Sequence, residues 1–170
     1  MSVREFPANS RLSSQVGKAY YVDSYDAPLR RPDLKMHEIY VAILGHLPWW
    51  ARTLIIVRNT VVSQFGLHAE TSANVWKPEL KDSYVPGDKI VRFILYSQDE
   101  NEIIAGRDDK HLDFRVSIMK LHDHGTHRVV VSTIIFVHNF FGKAYLLFVL
   151  PFHKLGLKHL LSQAVAHDRI

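Results

Sequence analysis

Alternating polar and apolar positions dominate the middle of the chain. From Leu112 to Ile118 every even-numbered side chain is apolar, and the odd-numbered positions carry charged or polar groups. This is the two-residue period of a strand with one buried face. The same period predicts four strands, at residues 89–97, 102–107, 110–121 and 126–138. Because the connections between them are short and rich in Asp, Asn and Gly, we expect an antiparallel meander.

A strand and two helices are predicted before this meander. Residues 18–29 have the composition and alternation of a strand. Residues 31–45 predict a first helix, with Asp33 as its N-cap and Gly45 after its end. A second helix is expected over residues 47–66, where a proline stands at the first turn.

The chain ends in a long helical pattern at residues 140–167. Pro151 within it removes one backbone donor, which predicts a kink or a break near residues 147–150. This order of elements defines an α+β fold. A curved antiparallel sheet with the last helix across its concave face, the helix-grip arrangement, satisfies it, and so do other α+β folds. We expect a loose polar arm at residues 1–15 and a single domain over 16–170.

Composition excludes several kinds of chemistry. The chain has no cysteine, so disulfides, thiolate metal ligands and a cysteine nucleophile are ruled out. The N-terminus has no apolar run like that of a secretory signal, and we expect a cytoplasmic protein. The net charge of +4 comes from scattered basic residues, so nucleic-acid binding is not expected. Without a dinucleotide-binding motif or a metal-ligand spacing, we expect neither a cofactor nor a metal.

Polar side chains form the second side of the predicted strand at 110–121 and the residues before it: Asp109, His111, Asp113, Arg115 and Ser117. A two-residue turn at 124–125 would set Phe136 and His138 beside this row. One interpretation is a solvated sheet back with weak ion pairs. The other is a ligand-site wall in which Asp113 orients His111 or pairs with Arg115. In an enzyme, His111 would be the acid or base, Asp113 would hold its tautomer, and Arg115 would bind an oxyanion.

The C-terminal pattern contains a stripe of mostly aromatic side chains: Tyr145, Phe148, Phe152, Leu155, His159 and Gln163. Facing a concave sheet, this stripe would form either plain core or the roof of a cavity. Lysines along the remaining edge are compatible with weak contact to a membrane surface or with a homodimer. Further candidates for lining a ligand lie on the strands, on the second helix and after Pro151: Phe93, Phe114, Phe136, His138, Trp50, Arg58 and His153.

Several segments resemble those of a bacterial family catalogued only as domain of unknown function 2867, and they occur in the same order: PWWARTLIIVRNTVVSQFGL, GDKIVRF, GRDDKHLDFRVSI and VVVSTIIFVHNFFGKAYLLFVLPFHKLGLKHLL. The most specific pieces are residues 106–115 and Pro151-Phe152-His153. That family is similar to the START-like (SRPBCC) helix-grip superfamily. The resemblance implies an apolar small molecule or lipid bound between sheet and helix. Some superfamily members are instead cyclases, dehydratases or hydrolases.

Three hypotheses follow for the function. The first is a protein that binds an apolar or amphipathic small molecule between the sheet and the C-terminal helix. The second is an enzyme of the same fold, a cyclase, dehydratase or hydrolase that uses His111 and Asp113. The third is an accessory module that acts by protein contact through the C-terminal helix. One fold hosts many functions, so the fold alone does not choose between them.

Overall fold

The described strands of the computed structural model form one seven-stranded antiparallel sheet. The structure describes residues 2–53, 81–123 and 125–170. The strands are β1 (Ser2–Val3), β2 (Tyr21–Pro28), β3 (Lys89–Ile90), β4 (Phe93–Gln98), β5 (Glu102–Asp108), β6 (Leu112–Asp123) and β7 (Thr126–Val137). Their order across the sheet is β1-β2-β7-β6-β5-β4-β3. The α+β class and the antiparallel meander are confirmed.

The β6–β7 hairpin has the register that a two-residue turn predicts. Asp113 lies beside Phe136, and the backbone N–H of His138 donates to the carbonyl of His111 at 3.0 Å. A slip of one residue would turn the whole apolar row of β6 away from the core. The alternation of the sequence therefore fixes the register as well as the strand.

The predicted strand at 89–97 is a tight hairpin instead. β3 and β4 pair with each other, and Val91 and Arg92 form the turn between them. Val91 has a φ of 56°, in the left-handed region that β-branched residues rarely adopt. The buried Arg92 guanidinium donates to the carbonyl of Leu44 at the end of the first helix. A contact distant in sequence thus stabilises a turn that no local pattern indicates.

Among the elements that the structure describes, two helices cover one face of the sheet, which we call the helix-covered face. They are α1 (Met36–Leu44) and the C-terminal helix (Phe140–Ala166). The core beneath them includes Ile39, Ile43, Ile118, Val131, Leu157 and Leu161. α1 ends at Gly45 as predicted, but its N-cap is Lys35 and not Asp33. The Glu38 carboxylate accepts from the Lys35 backbone N–H and so supplies the capping contact.

The second predicted helix falls only partly within the described residues. Residues 49–53 are helical, and the Arg52 backbone N–H donates to the Pro48 carbonyl. The rest of that helix, including Arg58, lies outside the described residues.

The C-terminal helix runs unbroken through Pro151, so of the two predicted outcomes the break does not occur and the kink stays a prediction. Its first turn is capped by Asn139, whose side-chain oxygen accepts from the Gly142 N–H at 3.1 Å. A Cβ on Gly142 would lie only 2.3 Å from the carbonyl oxygen of His111. The helix therefore begins in close backbone contact with the start of β6.

The N-terminal residues, expected to form a loose arm, pack on the opposite face of the sheet, which we call the outer face. A short 3₁₀ helix spans Ser13–Lys18. Leu12, only 4% exposed, packs with Ile104 and Ile134 of the sheet. The polar composition of this segment predicts looseness, but its few apolar side chains are sufficient to anchor it on the sheet.

Candidate functional site

A carboxylate, a phenol, an imidazole and a hydroxyl meet between the sheet and the C-terminal helix. The Tyr21 hydroxyl donates to Asp23 Oδ2 with 2.7 Å between the oxygen atoms. Nε2 of His153 lies 3.4 Å from the same carboxylate oxygen, and Thr133 lies beside Asp23 in the sheet. The Asp23 side chain is 9% exposed. We call Tyr21, Asp23, Thr133 and His153 the Asp23 cluster.

Local structure explains why these side chains meet. Alternation along β2 places Tyr21 and Asp23 on the same side as Tyr25, which belongs to the core under the helices. Facing residues share a side of the sheet, so Thr133 points the same way. His153 lies one helical turn before the buried Leu157 and therefore on the side of the helix that packs on the sheet.

The Asp23 carboxylate is ionised at neutral pH. Burial alone would raise the pKa of Asp23 because it disfavours the charged form. The interaction with His153, the hydrogen bond from Tyr21 and the nearby Thr133 hydroxyl together outweigh burial, so the pKa of Asp23 lies below its ordinary value. Burial, followed by the interaction with Asp23, raises the pKa of Tyr21 and raises that of Tyr25 to about 12. A carboxylate thus lies beside two neutral phenols.

Two buried oxygen atoms of the cluster, Asp23 Oδ1 and Thr133 Oγ1, have no partner at hydrogen-bonding geometry in the described part of the chain, and His153 Nε2 has only its 3.4 Å contact with Asp23. Leaving such an atom unpaired costs about 1–3 kcal/mol, and most buried polar atoms in native proteins are paired. Two such oxygen atoms in one cluster mark a position where a polar group of a ligand, or a water molecule, would be stabilised.

Half-buried aromatic side chains continue the helix-covered face. The rings of Phe93 and Phe114 meet edge to face, with centroids 4.9 Å apart, and both pack against the core without being fully buried. Trp50 approaches the C-terminal helix, 3.9 Å from the Cβ position of Gly156. Tyr145 is also half-buried. These predicted lining residues, with His153, remain candidates for contact with a ligand.

The aromatic stripe of the C-terminal helix does not face the sheet. Phe148 is 71% exposed and Phe152 is 50% exposed. The side that packs on the sheet is aliphatic and includes Leu146, Leu157, Leu160, Leu161 and Ala164. The prediction that the aromatic stripe forms the core or a roof is therefore wrong. The helix is apolar nearly all round, so its periodicity does not distinguish one side from the other.

The charged row of β6 lies on the outer face, whereas His111, just before β6, contacts the start of the C-terminal helix, with its ring centroid 5.8 Å from that of Phe141. Nε2 of His138 is 3.0 Å from Oδ2 of Asp113. His111 faces Asn139 instead, with Nδ1 3.0 Å from the side-chain oxygen. The expected pairing of Asp113 with His111 does not form, and Phe136 and His138 belong to the outer face as well.

Arg115 also has partners other than the expected Asp113. Its NH2 atom lies 2.6 Å from Oδ1 of Asp108, and the guanidinium carbon lies 3.9 Å from the centre of the Tyr96 ring. The Tyr96 hydroxyl in turn donates to Asp108 at 3.0 Å. These mutual contacts satisfy Arg115 without a ligand, so nothing here draws an oxyanion to it.

Sequence reasoning missed Tyr21, Asp23 and Thr133. The available signal was a carboxylate between two tyrosines on one side of β2, where the pattern otherwise alternates. The other side of β2 carries Ser24 and Asp26, so both sides are mixed. Periodicity alone therefore did not identify the side that faces the core.

Fold and cluster together define an α+β protein with an antiparallel sheet, a long helix across one face, and a polar cluster between the two. The chain belongs to the family described as "Protein of unknown function (DUF2867)", which matches residues 15–160. The resemblance to that family is confirmed. No curated protein and no solved structure matches the chain. Within the described ranges, no helix has the length and apolar character needed to cross a membrane.

Proposed function

We propose that the protein binds an amphipathic small molecule between its sheet and its C-terminal helix, as a START-like helix-grip protein would. The observation that carries this proposal is the pair of buried oxygen atoms in the Asp23 cluster, Asp23 Oδ1 and Thr133 Oγ1, that lack a partner at hydrogen-bonding geometry in the described part of the chain. A polar group of the ligand would pair with them, and its apolar part would lie along Phe93 and Phe114, which are only half-buried. Pockets of this kind combine an apolar lining with a few fixed polar groups.

The cluster favours a ligand whose polar end donates hydrogen bonds. Asp23 is ionised at neutral pH, so its free Oδ1 can only accept. The Thr133 hydroxyl can serve either role. A hydroxyl or an amine would fit beside Asp23, whereas a carboxylate would be repelled by the charge already there. We therefore expect an alcohol or an amine rather than a fatty acid.

The ligand would lie beneath the N-terminal half of the C-terminal helix. Under the C-terminal half, Leu157, Leu160, Leu161 and Ala164 are all at most 6% exposed and pack against the core. Dense packing of that kind leaves no room for a ligand. His153 lies between the two halves, so it is well placed to contact the polar end.

Native mass spectrometry of gently purified protein tests the proposal. We expect wild type to carry a mass of lipid or metabolite size, and Asp23→Asn and Thr133→Val to lose most of it. Asp113→Asn is the matched control, since it changes a half-buried carboxylate on the outer face. Ligand-free wild type, or equal retention by all four proteins, contradicts the proposal.

A second candidate is contact with another copy of the chain through the aromatic stripe. Its support is the exposure of Phe148, Phe152 and Leu155 on one side of the C-terminal helix, because large exposed apolar patches commonly mark interaction sites. The same spectra test it. A ligand-free dimer that Phe148→Ser converts to monomer would favour contact over ligand binding, and a monomer at all concentrations would exclude a homodimer.

A further inference from the structure

A groove of about 350 Å³ lies where the C-terminal helix ends, and it shares no residue with the Asp23 cluster. Among the described residues, its lining consists of three histidines, an arginine, a glutamine and a proline: His46, Pro48, His159, Gln163, His167 and Arg169. None of these residues is acidic. The described part of the lining therefore carries basic and neutral groups, and the groove is large enough for a small ligand.

The charge of Arg169 is not compensated by any described residue. Its Nε atom is buried and has no hydrogen-bond partner in the described part of the chain. Its backbone N–H donates to the Ala164 carbonyl at 2.9 Å, so the backbone, not the guanidinium, closes this end of the helix. The adjacent Asp168 carboxylate is paired with Arg30. Since a partly buried charge needs a partner, Arg169 has a charge available for a bound anion.

The positive charge of Arg169 also acts on a neighbouring histidine of the groove. Burial lowers the pKa of His46, and the charges of Arg169 and Arg52 lower it further. Burial also lowers the pKa of Arg169 itself. Like charges and burial both disfavour the cationic forms, and an anion in the groove would reverse that effect.

The groove also offers neutral donors. Nε2 of His167 lies 2.9 Å from the side-chain oxygen of Gln163. Because that oxygen only accepts, the ring donates through Nε2, and the Gln163 amide keeps its two N–H donors. His159 meets the Trp50 ring edge on, with centroids 5.9 Å apart, so an indole lies next to the groove and can report on binding.

We propose that this groove binds a phosphate-class oxyanion, whether free or carried by a small metabolite or a lipid headgroup. A planar guanidinium can donate two parallel hydrogen bonds to such a group. The imidazoles and the Gln163 amide would supply further donors. The many acceptor positions of a phosphate match this set better than the two oxygens of a carboxylate do.

Titration of the full chain at constant ionic strength tests the site. Three probes would be used: inorganic phosphate, glycerol 3-phosphate, and vesicles containing phosphatidic acid. The readout is the indole N–H cross-peak of Trp50, supported by calorimetry. We expect Arg169→Gln to weaken binding at least tenfold and Arg169→Lys to restore part of it. Arg31→Gln, at an exposed position outside the groove, should bind as wild type does.

The three probes separate the sources of the phosphate group. Binding of the soluble phosphates assigns the groove to a metabolite, and binding of vesicles alone assigns it to a lipid headgroup. The proposal is overturned if Arg169→Gln binds within twofold of wild type, or if acetate at the same ionic strength shifts the Trp50 cross-peak as much as phosphate does. Thermal unfolding of each variant checks that the fold is retained.

Discussion

A carboxylate on each face of the sheet, Glu102 on the outer face and Asp23 on the helix-covered face, is shielded from solvent, and the two differ in how fully their oxygen atoms are hydrogen-bonded. On the outer face, Glu102 is 3% exposed and accepts hydrogen bonds from the hydroxyls of Ser10 and Ser117 and from the Arg11 backbone N–H. Both of its oxygens have partners. On the helix-covered face, Asp23 has partners at one oxygen and none at the other among the described residues.

This difference separates a structural group from a candidate binding group. Glu102 ties the N-terminal segment to the sheet, so its contacts are complete in the folded chain. Asp23 lies in a cluster whose polar atoms are only partly satisfied, which is expensive unless something else is bound. Burial of a carboxylate is thus no guide to function by itself. The count of unpartnered atoms around it is the informative quantity.

Removing the satisfied carboxylate should have the largest effect on stability. Glu102→Ala leaves two buried hydroxyl donors and the part-buried Arg11 backbone N–H without an acceptor, and we expect the free energy of unfolding to fall by about 3 kcal/mol. Urea denaturation measures the change, and hydrogen exchange at Leu12 should show that the N-terminal segment opens first. Glu100→Ala, at an exposed position, is the control and should stay within about 0.5 kcal/mol of wild type. A loss below 1 kcal/mol would mean that Glu102 does not hold this segment.

Alkaline pH should lower the free energy of unfolding, because Tyr25 on the helix-covered face titrates at a higher pH in the folded chain. The pKa of Tyr25 is about 12 in the folded chain and about 10 in an unfolded one. Unfolding therefore releases a proton above pH 10, and stability must fall as the pH rises from about 10 towards 12. Urea denaturation at pH 8 and pH 11 tests this. Tyr25→Phe should reduce the fall, whereas the exposed Tyr20→Phe should leave it unchanged. Equal losses in all three proteins would contradict the assignment.

Replacing the unsatisfied carboxylate should affect ligand retention far more than stability. In Asp23→Asn the acceptor for Tyr21 is kept and the new amide can donate to Thr133, so we expect a change within about 1 kcal/mol. The pKa of Asp23 is lowered by folding, so its contribution is present above the ordinary carboxyl pKa and is lost as the pH falls through the folded value. The variant should therefore lose less stability in acid, as measured by denaturation at pH 7 and pH 3. A loss as large as that of Glu102→Ala would make Asp23 a structural residue.

The strands of the meander were predicted well because the two-residue alternation of apolar and polar side chains is visible within each strand. Asp113 lies beside Phe136 as the turn length required. The Val91–Arg92 turn was missed because its stabilising contact comes from Leu44, a residue distant in sequence. The prediction of which side of the C-terminal helix packs on the sheet was wrong, because a helix that is apolar nearly all round carries no periodic signal.

Of the four residues of the Asp23 cluster, the sequence predicted only His153. Asp23 and Thr133 are brought together by the pairing of β2 with β7, a contact between strands that the chain separates by the whole helical and meander region. Pairing at that distance depends on tertiary packing, and no window of the sequence contains both partners. The pairing of strands joined by a short turn can be predicted from the turn length, whereas the pairing of strands far apart in the sequence cannot.

The smallest effect is expected on the outer face, in the charged row. Arg115→Met removes the ion pair with Asp108 and the contact with Tyr96 but keeps an aliphatic stem. Because Asp108 is 55% exposed, we expect a stability loss of no more than about 1 kcal/mol, reduced further by 1 M salt. Ligand retention in native mass spectra should be unchanged. If Arg115→Met abolished retention while Asp23→Asn did not, the binding site would belong to the outer face, and the distinction between the two carboxylates would fail.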